Sequence, residues 1–374
     1  MRSLPELLGS QDGRVLLETR GVYTSEAEFV GRLKPPARGG LATGLSLDPG
    51  GVTVYTAHQV KADYPPSVIS KVRAARDLQS DHPAVAVALL WLDMDRAGSE
   101  RSSAALQVRG RGGSVQVRLA PRRHDDKEVR FVPVEGPHLE EAVRKLGAWA
   151  RQHGGHTVER HERLATALLD QGPQTLADAN LALTSFLVRE QLGLEAPSVL
   201  VSDLGGLLTD TITDVIGQID DVVTVFNSAV DSLVAADVDP RVRHLRPDYL
   251  PLNYSCDRDG RRCSLTRDQR GPDRFAVTTC ACGAVYRYHL GSIDELAATG
   301  RWSPDVTLPM YLNDLASGVV AGQSSALYGL VLNEVLEKVL ARRAIPMLVP
   351  EDLTAVLAAG NETGGLLQDY LTGA

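Results

Sequence analysis

The chain has 374 residues, which is enough for one large domain or two of ordinary size. Hydrophobic residues make up 43% of the sequence and charged residues 23%, a composition typical of globular proteins. The formal net charge of -8 argues against a general affinity for nucleic acid, and the sequence has no run of about 18 apolar residues that could cross a membrane. Because residues 1–14 lack the apolar segment of a signal peptide, we expect a cytoplasmic protein with reduced thiols.

Regular structure is predicted to begin just after residue 50. Residues 1–50 are mixed in character and are expected to form an N-terminal extension, with a proline- and glycine-rich loop at 34–40. Residues 51–56 form a short apolar run that suits a buried strand, and residues 57–59 are expected to follow as a loop.

The next segments predict a parallel sheet. Apolar residues at helical spacing predict a helix over 65–78, and residues 84–92 are apolar throughout, as in a strand covered on both faces. This strand–helix–strand order implies a right-handed crossover, so we predict an α/β fold with a Rossmann-like parallel sheet core over 51–250. Alternating apolar residues over 105–134 predict a small insertion of antiparallel strands, and residues 138–195 predict a helical insert.

The second half of the chain is predicted to complete this core around an insertion. Residues 197–204 read as another buried strand that ends in an acid. Residues 251–292 contain all the cysteines and are predicted to be a four-cysteine zinc-ribbon-like module. Residues 293–374 are expected to form the C-terminal part of the core and a terminal helix, including a long helix over 327–343 and a last strand at 345–350.

The cysteines are the most specific chemical signal in the sequence. The four predicted metal ligands are Cys256, Cys263, Cys280 and Cys282. The first pair flanks a turn-rich hairpin tip, and the predicted strand 274–279 delivers the second pair beside Gly283, which suits a tight turn. Two close pairs joined by a β-ribbon give a tetrahedral thiolate site, the geometry that Zn²⁺ prefers, and four protein ligands favour a structural ion.

Three alternatives to structural zinc stay open at the sequence level. The cysteines could form disulfides, although the expected compartment is reducing, or they could be free or redox-active thiols. Replacement of one cysteine by His289 would leave an open coordination position and a catalytic zinc.

Polar residues follow three of the predicted strands, and ligands of open α/β sheets bind beyond the carboxyl ends of strands. His58 titrates near neutral pH and is the predicted group for proton transfer or for gripping an anion. Asp93 and Asp95 are expected to bind a substrate amine or a metal, or one of them to act as a base, with a capping acid and a solvated neighbour as the alternative. The predicted catalytic residues are therefore His58, Asp93 and Asp95.

A second set of residues is predicted to bind the substrate. The segment 322–325 precedes a helix and offers backbone N–H groups to a phosphate or carboxylate. The predicted substrate-binding residues are Gln59, Lys61, Asp203, Asn313, Gln323 and Ser324.

The order of these segments resembles that of the bacillithiol synthases, a family of cysteine-adding ligases, over roughly residues 50–350. The matching segments are Thr56–Gln59, Ala88–Asp95, Thr175–Ala179, Ser303–Val306 and Ala321–Tyr328. The chain differs from the family in lacking most of its Glu-Asp-His-Asp signature, its long coiled coil and an arginine where Thr307 stands, and it adds the four cysteines. The resemblance implies a Rossmann-type fold with inserts and condensation of a carboxylate with an amine, but it does not imply the substrate of the bacillithiol synthases.

We therefore predict a bacillithiol-synthase-like carbon–nitrogen ligase of specialised metabolism that joins an amino acid or activated acyl group to an amine. Zinc is the expected cofactor and a nucleotide a further one; the expected partners are the small-molecule substrates and a second copy of the chain, with no membrane and no nucleic acid. The alternative is a non-catalytic zinc-ribbon protein that docks a protein or nucleic-acid partner. Arginines in the ribbon support that alternative, and interspersed aspartates weaken it.

Overall fold

A computed structural model describes the chain over residues 1–36, 41, 45, 51–98, 103–110, 113–270, 273–291, 293–358 and 365–373. Most of the predicted loop at 34–40 lies outside these residues.

The described residues form a mixed α/β protein built on a six-stranded parallel sheet. The strands among the described residues are β1 (Val22–Tyr23), β2 (Val52–Gln59), β3 (Val85–Leu92), β4 (Ala105–Gly110), β5 (Gly113–Arg118), β6 (Ser198–Leu200), β7 (Tyr249–Ser255), β8 (Arg262–Arg270), β9 (Asp273–Thr279), β10 (Val285–His289), β11 (Trp302–Pro304), β12 (Gly318–Val320) and β13 (Met347–Leu348). The parallel sheet has the order β1-β13-β12-β2-β3-β6.

Helices cover both faces of this sheet. They are α1 (Leu4–Leu8), α2 (Gln11–Thr19), α3 (Glu26–Arg32), α4 (Pro66–Asp81), α5 (Gly136–Arg151), α6 (Gly155–Asp170), α7 (Leu176–Leu192), α8 (Gly205–Gly217), α9 (Ile219–Ala235), α10 (Asp294–Ala298), α11 (Leu308–Leu312), α12 (Gln323–Lys338), α13 (Glu351–Ala358) and α14 (Leu366–Thr372). No helix within the described ranges is both long and apolar enough to cross a membrane.

Side chains of the central strands alternate between two apolar clusters. Val54 and Val87 enter the cluster that contains α4 and α7, whereas Tyr55 and Ala88 enter the cluster that contains α8, α9 and α12. Because both faces are buried, β3 needs apolar residues at nearly every position, which is the pattern that predicted it.

The chain order of the strands places a switch point between β2 and β12. From β2 the sheet grows in one direction through β3 and β6, and the chain then returns to add β12 on the other side of β2. Helix α4 follows β2 on one face and α12 follows β12 on the other. A crevice therefore opens beyond the carboxyl ends of β2 and β12, where open parallel sheets bind ligands.

Several predicted elements are confirmed, including the strand over 84–92, the helix after Pro65 and the antiparallel hairpin of β4 and β5. Others were wrong in extent. Regular structure starts well before residue 51, because α1–α3 and β1 precede it. Residues 57–59 continue β2 rather than forming a loop, since each pairs in register with β3.

The cysteine segment belongs to a second, antiparallel sheet with the order β10-β9-β8-β7-β11. This sheet extends beyond the predicted module, because Trp302–Pro304 pairs with β7 and closes one edge. It is a five-stranded layer that packs through Leu250, Leu252 and Tyr254 into the same apolar cluster as α9 and α12.

Candidate functional site

A cavity of about 210 Å³ lies at the switch point, between α12 and the sheet. At one end, His58 and Gln59 are half-buried and Val306 is 56% exposed, so this end is the mouth. At the other end, Ile345 and Met347 are only 4% and 3% exposed. The cavity therefore runs from the strand ends into the protein beneath α12.

Lys71 supplies a buried positive charge at the mouth. It lies on the apolar face of α4, and its ammonium donates to the Ala57 carbonyl at 3.0 Å. Burial, and secondarily the charge of Lys61, lower the pKa of Lys71 to about 8. Among the described residues, no carboxylate forms an ion pair with Lys71. A buried ammonium that finds no acidic partner within the described part of the chain attracts an anionic ligand.

His58 stands beside this charge and is neutral at physiological pH. Burial lowers its pKa well below the usual value, and the charges of Lys71 and Lys61 lower it further. Its Nδ1 lies 3.2 Å from the Gln59 carbonyl, which only accepts, so Nδ1 carries the proton. The other nitrogen, Nε2, is then a proton acceptor.

The N-terminus of α12 adds backbone donors to the same mouth. Gly322 caps the helix without a side-chain hydrogen bond, and a β-carbon built on it would lie 3.8 Å from Lys71 Nζ. The first N–H groups of a helix lack partners within the helix, and the positive end of its dipole favours an anion. Ser325 lines the cavity, whereas Ser324 is exposed. Gln323 is half-buried at the first helical position.

Asp305 is an acid on the opposite wall. It accepts from the Tyr249 hydroxyl at 2.5 Å and from the Thr307 backbone at 2.9 Å. Burial raises its pKa, against the effect of these hydrogen bonds. The mouth thus has a cationic side at Lys71 and an acidic side at Asp305.

The aspartate predicted to be catalytic at the end of β3 has a structural role. Asp93 is fully buried, accepts from the Ser202 backbone at 3.1 Å, and also accepts from the Ser202 hydroxyl. Burial raises its pKa. Asp93 is not among the residues that line the cavity and instead anchors the 3₁₀ turn that follows β6.

Asp95 acts on the cavity through Gln59. Its carboxylate accepts from the Gln59 side-chain amide and from the Arg96 backbone. The guanidinium of Arg262 lies 3.7 Å away. Asp95 and Arg262 therefore position Gln59, which lines the mouth.

The other predicted substrate-binding residues are dispersed. Lys61 is buried near His58 and Lys71, as its effect on their pKa values indicates. Asp203 is exposed in the 3₁₀ turn that precedes α8, and Asn313 donates to the Arg343 carbonyl at 2.6 Å. Neither Asp203 nor Asn313 lines the cavity.

The cysteines form a second candidate site. Ligand atoms of Cys256, Asp259, Cys280 and Cys282 all lie within 4.8 Å of one another and could hold a metal ion. The sulfurs of Cys256 and Cys282 are 3.6 Å apart, and the Cys280 sulfur is 3.4 Å from an Asp259 oxygen. Cys263 lies beside Cys280 but outside this group of four.

The surroundings of Cys256 favour its thiolate. Although burial raises the pKa of this thiol, hydrogen bonds from the Tyr286 hydroxyl and from the Asp259 and Arg258 backbone outweigh it and lower the pKa. By contrast, burial raises the pKa values of Cys280 and Cys263. A set of thiol and carboxylate donors suits a tetrahedral cation such as Zn²⁺.

A buried charge network joins this sheet to the core. Glu128 is fully buried and accepts from Arg130 at 2.8 Å and from Ser303 at 2.9 Å. Arg262, the first residue of β8, pairs with Glu128 at 3.4 Å as well as with Asp95. The cysteine-bearing sheet thus contacts the residues that position Gln59.

Sequence reasoning missed Lys71, Asp305, Tyr55 and Asp259. Lys71 had a usable signal, since it falls three residues after Val68 and four before Ala75 on the apolar face of its helix. No local pattern marks Tyr55, which looks like an ordinary residue of a buried strand.

Comparison with known proteins assigns no family to the chain. No protein-family model matches the sequence, and no curated protein matches it. Its function must therefore be argued from the geometry of the two candidate sites.

Proposed function

We propose that the cavity binds a small molecule through an anionic group, a carboxylate or phosphate, held between Lys71 and the N-terminus of α12. The observation that carries this proposal is the buried ammonium of Lys71, which pairs with no acid among the described residues and lies beside Gly322 at the sheet's switch point. Charge-assisted hydrogen bonds to a bound anion would satisfy the remaining donors of both groups.

We further propose that the reaction is amide formation, as in the bacillithiol synthases. The amine of one substrate attacks the carbonyl carbon of an activated acyl group, the leaving group departs, and His58 Nε2 accepts the proton of the amine. The neutral state of His58 supports this role, and Asp305 lies where it can bind the incoming ammonium. A free carboxylate needs activation, so a nucleotide is proposed as a further cofactor.

The parallel sheet with helices on both faces supports a Rossmann-like core, and the cysteine cluster supports a zinc-ribbon-like module with one structural zinc. Zinc would be held by Cys256, Cys280 and Cys282, with Asp259 as the fourth ligand. The bound zinc would hold in place the turn between β7 and β8, and this turn positions Arg262 against Asp95.

Ion pairing argues against the alternative of a nucleic-acid-binding ribbon. Each of the following arginines pairs with an acid of the same chain: Arg261, Arg262, Arg267, Arg270 and Arg274. Guanidinium groups engaged in this way are less available to phosphates.

The proposal is tested by titrating acetate and inorganic phosphate into the protein and following thermal unfolding. A ligand that binds only the folded state raises the unfolding temperature, and Lys71→Met should abolish the shift. Lys145→Met, which changes an exposed lysine of α5, is the matched control and should keep it. Equal shifts in wild type and Lys71→Met would refute the anion site.

Amide formation is tested separately by mass spectrometry of products from amino acids, amines and ATP. His58→Ala should remove the product while leaving the anion-induced shift measurable. Product formation at the wild-type rate in this variant would remove His58 from the chemistry.

A further inference from the structure

Below its polar mouth, the cavity is lined by apolar side chains. Those of Val319, Leu332, Ile345 and Met347 line its inner part, and all four are at most 8% exposed. A carboxylate or phosphate group bound at the mouth would leave this inner part empty. The size and lining of this inner part therefore indicate which chemical group is attached to the anion.

The size of the cavity sets the size of that attached group. An apolar protein cavity of about 150 Å³ accommodates benzene, and a group the size of one water molecule occupies about 30 Å³. The volume of about 210 Å³ thus accommodates a six-membered ring with about two more atoms. In a ring joined to a carboxylate through one carbon, the ring and two carbons have this size, and the two carboxylate oxygens would lie at the open mouth.

Two polar side chains lie in the inner lining: Asn333, whose amide is hydrogen-bonded to the Ile345 backbone, and Tyr55. Tyr55 is 1% exposed and lines the cavity, and its hydroxyl is a buried polar atom with no hydrogen-bond partner among the described residues. The neighbouring Tyr328 hydroxyl is engaged with Ser325. A buried hydroxyl without a partner is costly, so it calls for a ligand or a water molecule that supplies one.

We propose that the acid bound here is an aromatic one, with a hydrogen-bonding substituent on the ring that pairs with the Tyr55 hydroxyl. This inference rests on the proposed anion site for the position of the carboxylate, and adds the class of the rest of the molecule. Ring burial between α12 and the sheet contributes affinity, and the Tyr55 hydroxyl selects among rings.

The test compares the affinities of acetate, phenylacetate and 4-hydroxyphenylacetate by ligand-detected NMR titration. Phenylacetate should bind at least tenfold more tightly than acetate, and 4-hydroxyphenylacetate at least threefold more tightly again. Tyr55→Phe should reduce the affinity for 4-hydroxyphenylacetate to that for phenylacetate. Val319→Phe, which fills the inner cavity, should remove the preference for aromatic acids.

Val285→Phe places the same substitution on an exposed edge strand and should leave all three affinities unchanged. If Val319→Phe does not fold, Tyr55→Phe decides the matter, because it keeps the ring and removes only the unpartnered oxygen. The inference is overturned if phenylacetate binds no better than acetate or not at all, or if Tyr55→Phe keeps the preference for the hydroxylated ring.

The two proposals fail in different ways. If acetate binding depends on Lys71 but aromatic acids bind no more tightly than acetate, the proposed anion site is supported and the proposed aromatic substrate is refuted. An affinity for phenylacetate that is undiminished in Lys71→Met would refute the anion site and leave the inner cavity as the binding determinant.

Discussion

Replacing Lys71 by methionine is expected to stabilise the folded protein while destroying its anion site. In the wild type, a lysine that has a pKa of about 8 when folded reverts to 10.5 when the chain unfolds. The unfolded chain therefore binds the proton of Lys71 more tightly than the folded protein does, and at pH values below 8 this difference destabilises the folded protein. Methionine has a similar length and no charge to desolvate.

The size of the effect follows from this difference in pKa. A shift of about 2.5 pH units corresponds to about 3 kcal/mol of unfavourable free energy at pH 7. Loss of the hydrogen bond to the Ala57 carbonyl offsets about 1 kcal/mol of the gain. Lys71→Met should thus raise the free energy of unfolding by about 2 kcal/mol.

Urea denaturation at pH 7 and pH 10 tests both the sign and the cause. The lowered pKa means that the destabilisation is complete below about pH 8 and is relieved as the pH rises toward 10.5. The advantage of the variant should therefore shrink at pH 10. Lys145→Met is the control and should change stability by less than about 0.5 kcal/mol. A less stable Lys71→Met protein, or an advantage independent of pH, would refute the reasoning.

Three other predictions concern binding, metal and turnover. Acetate affinity should fall as the pH rises above about 8, because Lys71 loses its proton in the free protein, and an affinity that is flat between pH 7 and 9.5 would contradict this. Asp259→Ala should lower zinc retention in a chelator competition at least tenfold, whereas Cys263→Ser should retain zinc; the reverse result would restore the four-cysteine set. His58→Ala should abolish amide formation with an unchanged circular dichroism spectrum, and residual turnover near the wild-type level would exclude proton transfer by His58.

Patterns that reflect burial were the ones that could be predicted from the sequence. Residues 84–92 are apolar because both faces of β3 are covered, and the helical spacing that starts at Val68 reflects one buried face of α4. Such patterns are local and repeat along the chain. Strand β13 has only two residues yet falls within the strand predicted at 345–350, whereas the two-residue β1 lies in the predicted extension and pairs with distant β13, so no local pattern marks it.

Side-chain roles at the strand ends could not be predicted in the same way. Asp93 and Asp95 are separated by one residue, yet one is buried against Ser202 and the other holds Gln59 at the cavity mouth. That difference is decided by what packs against the end of β3, namely β6 and the cysteine-bearing sheet. Similarly, Asp259 joins the cysteines because a hairpin turns it inward, and its spacing in the sequence does not reveal this.

The strand order also constrains how the chain can fold during synthesis. Strand β12 is inserted between β2 and β13, and Val22 pairs with Met347, 325 residues further along the chain. On a ribosome, β2, β3 and β6 can assemble early, but one side of β2 stays without its neighbour until residue 320 has emerged. The wall that carries the cavity is therefore the last part of the sheet to form, and a nascent chain would expose the unpaired edge of β2 to chaperones until then.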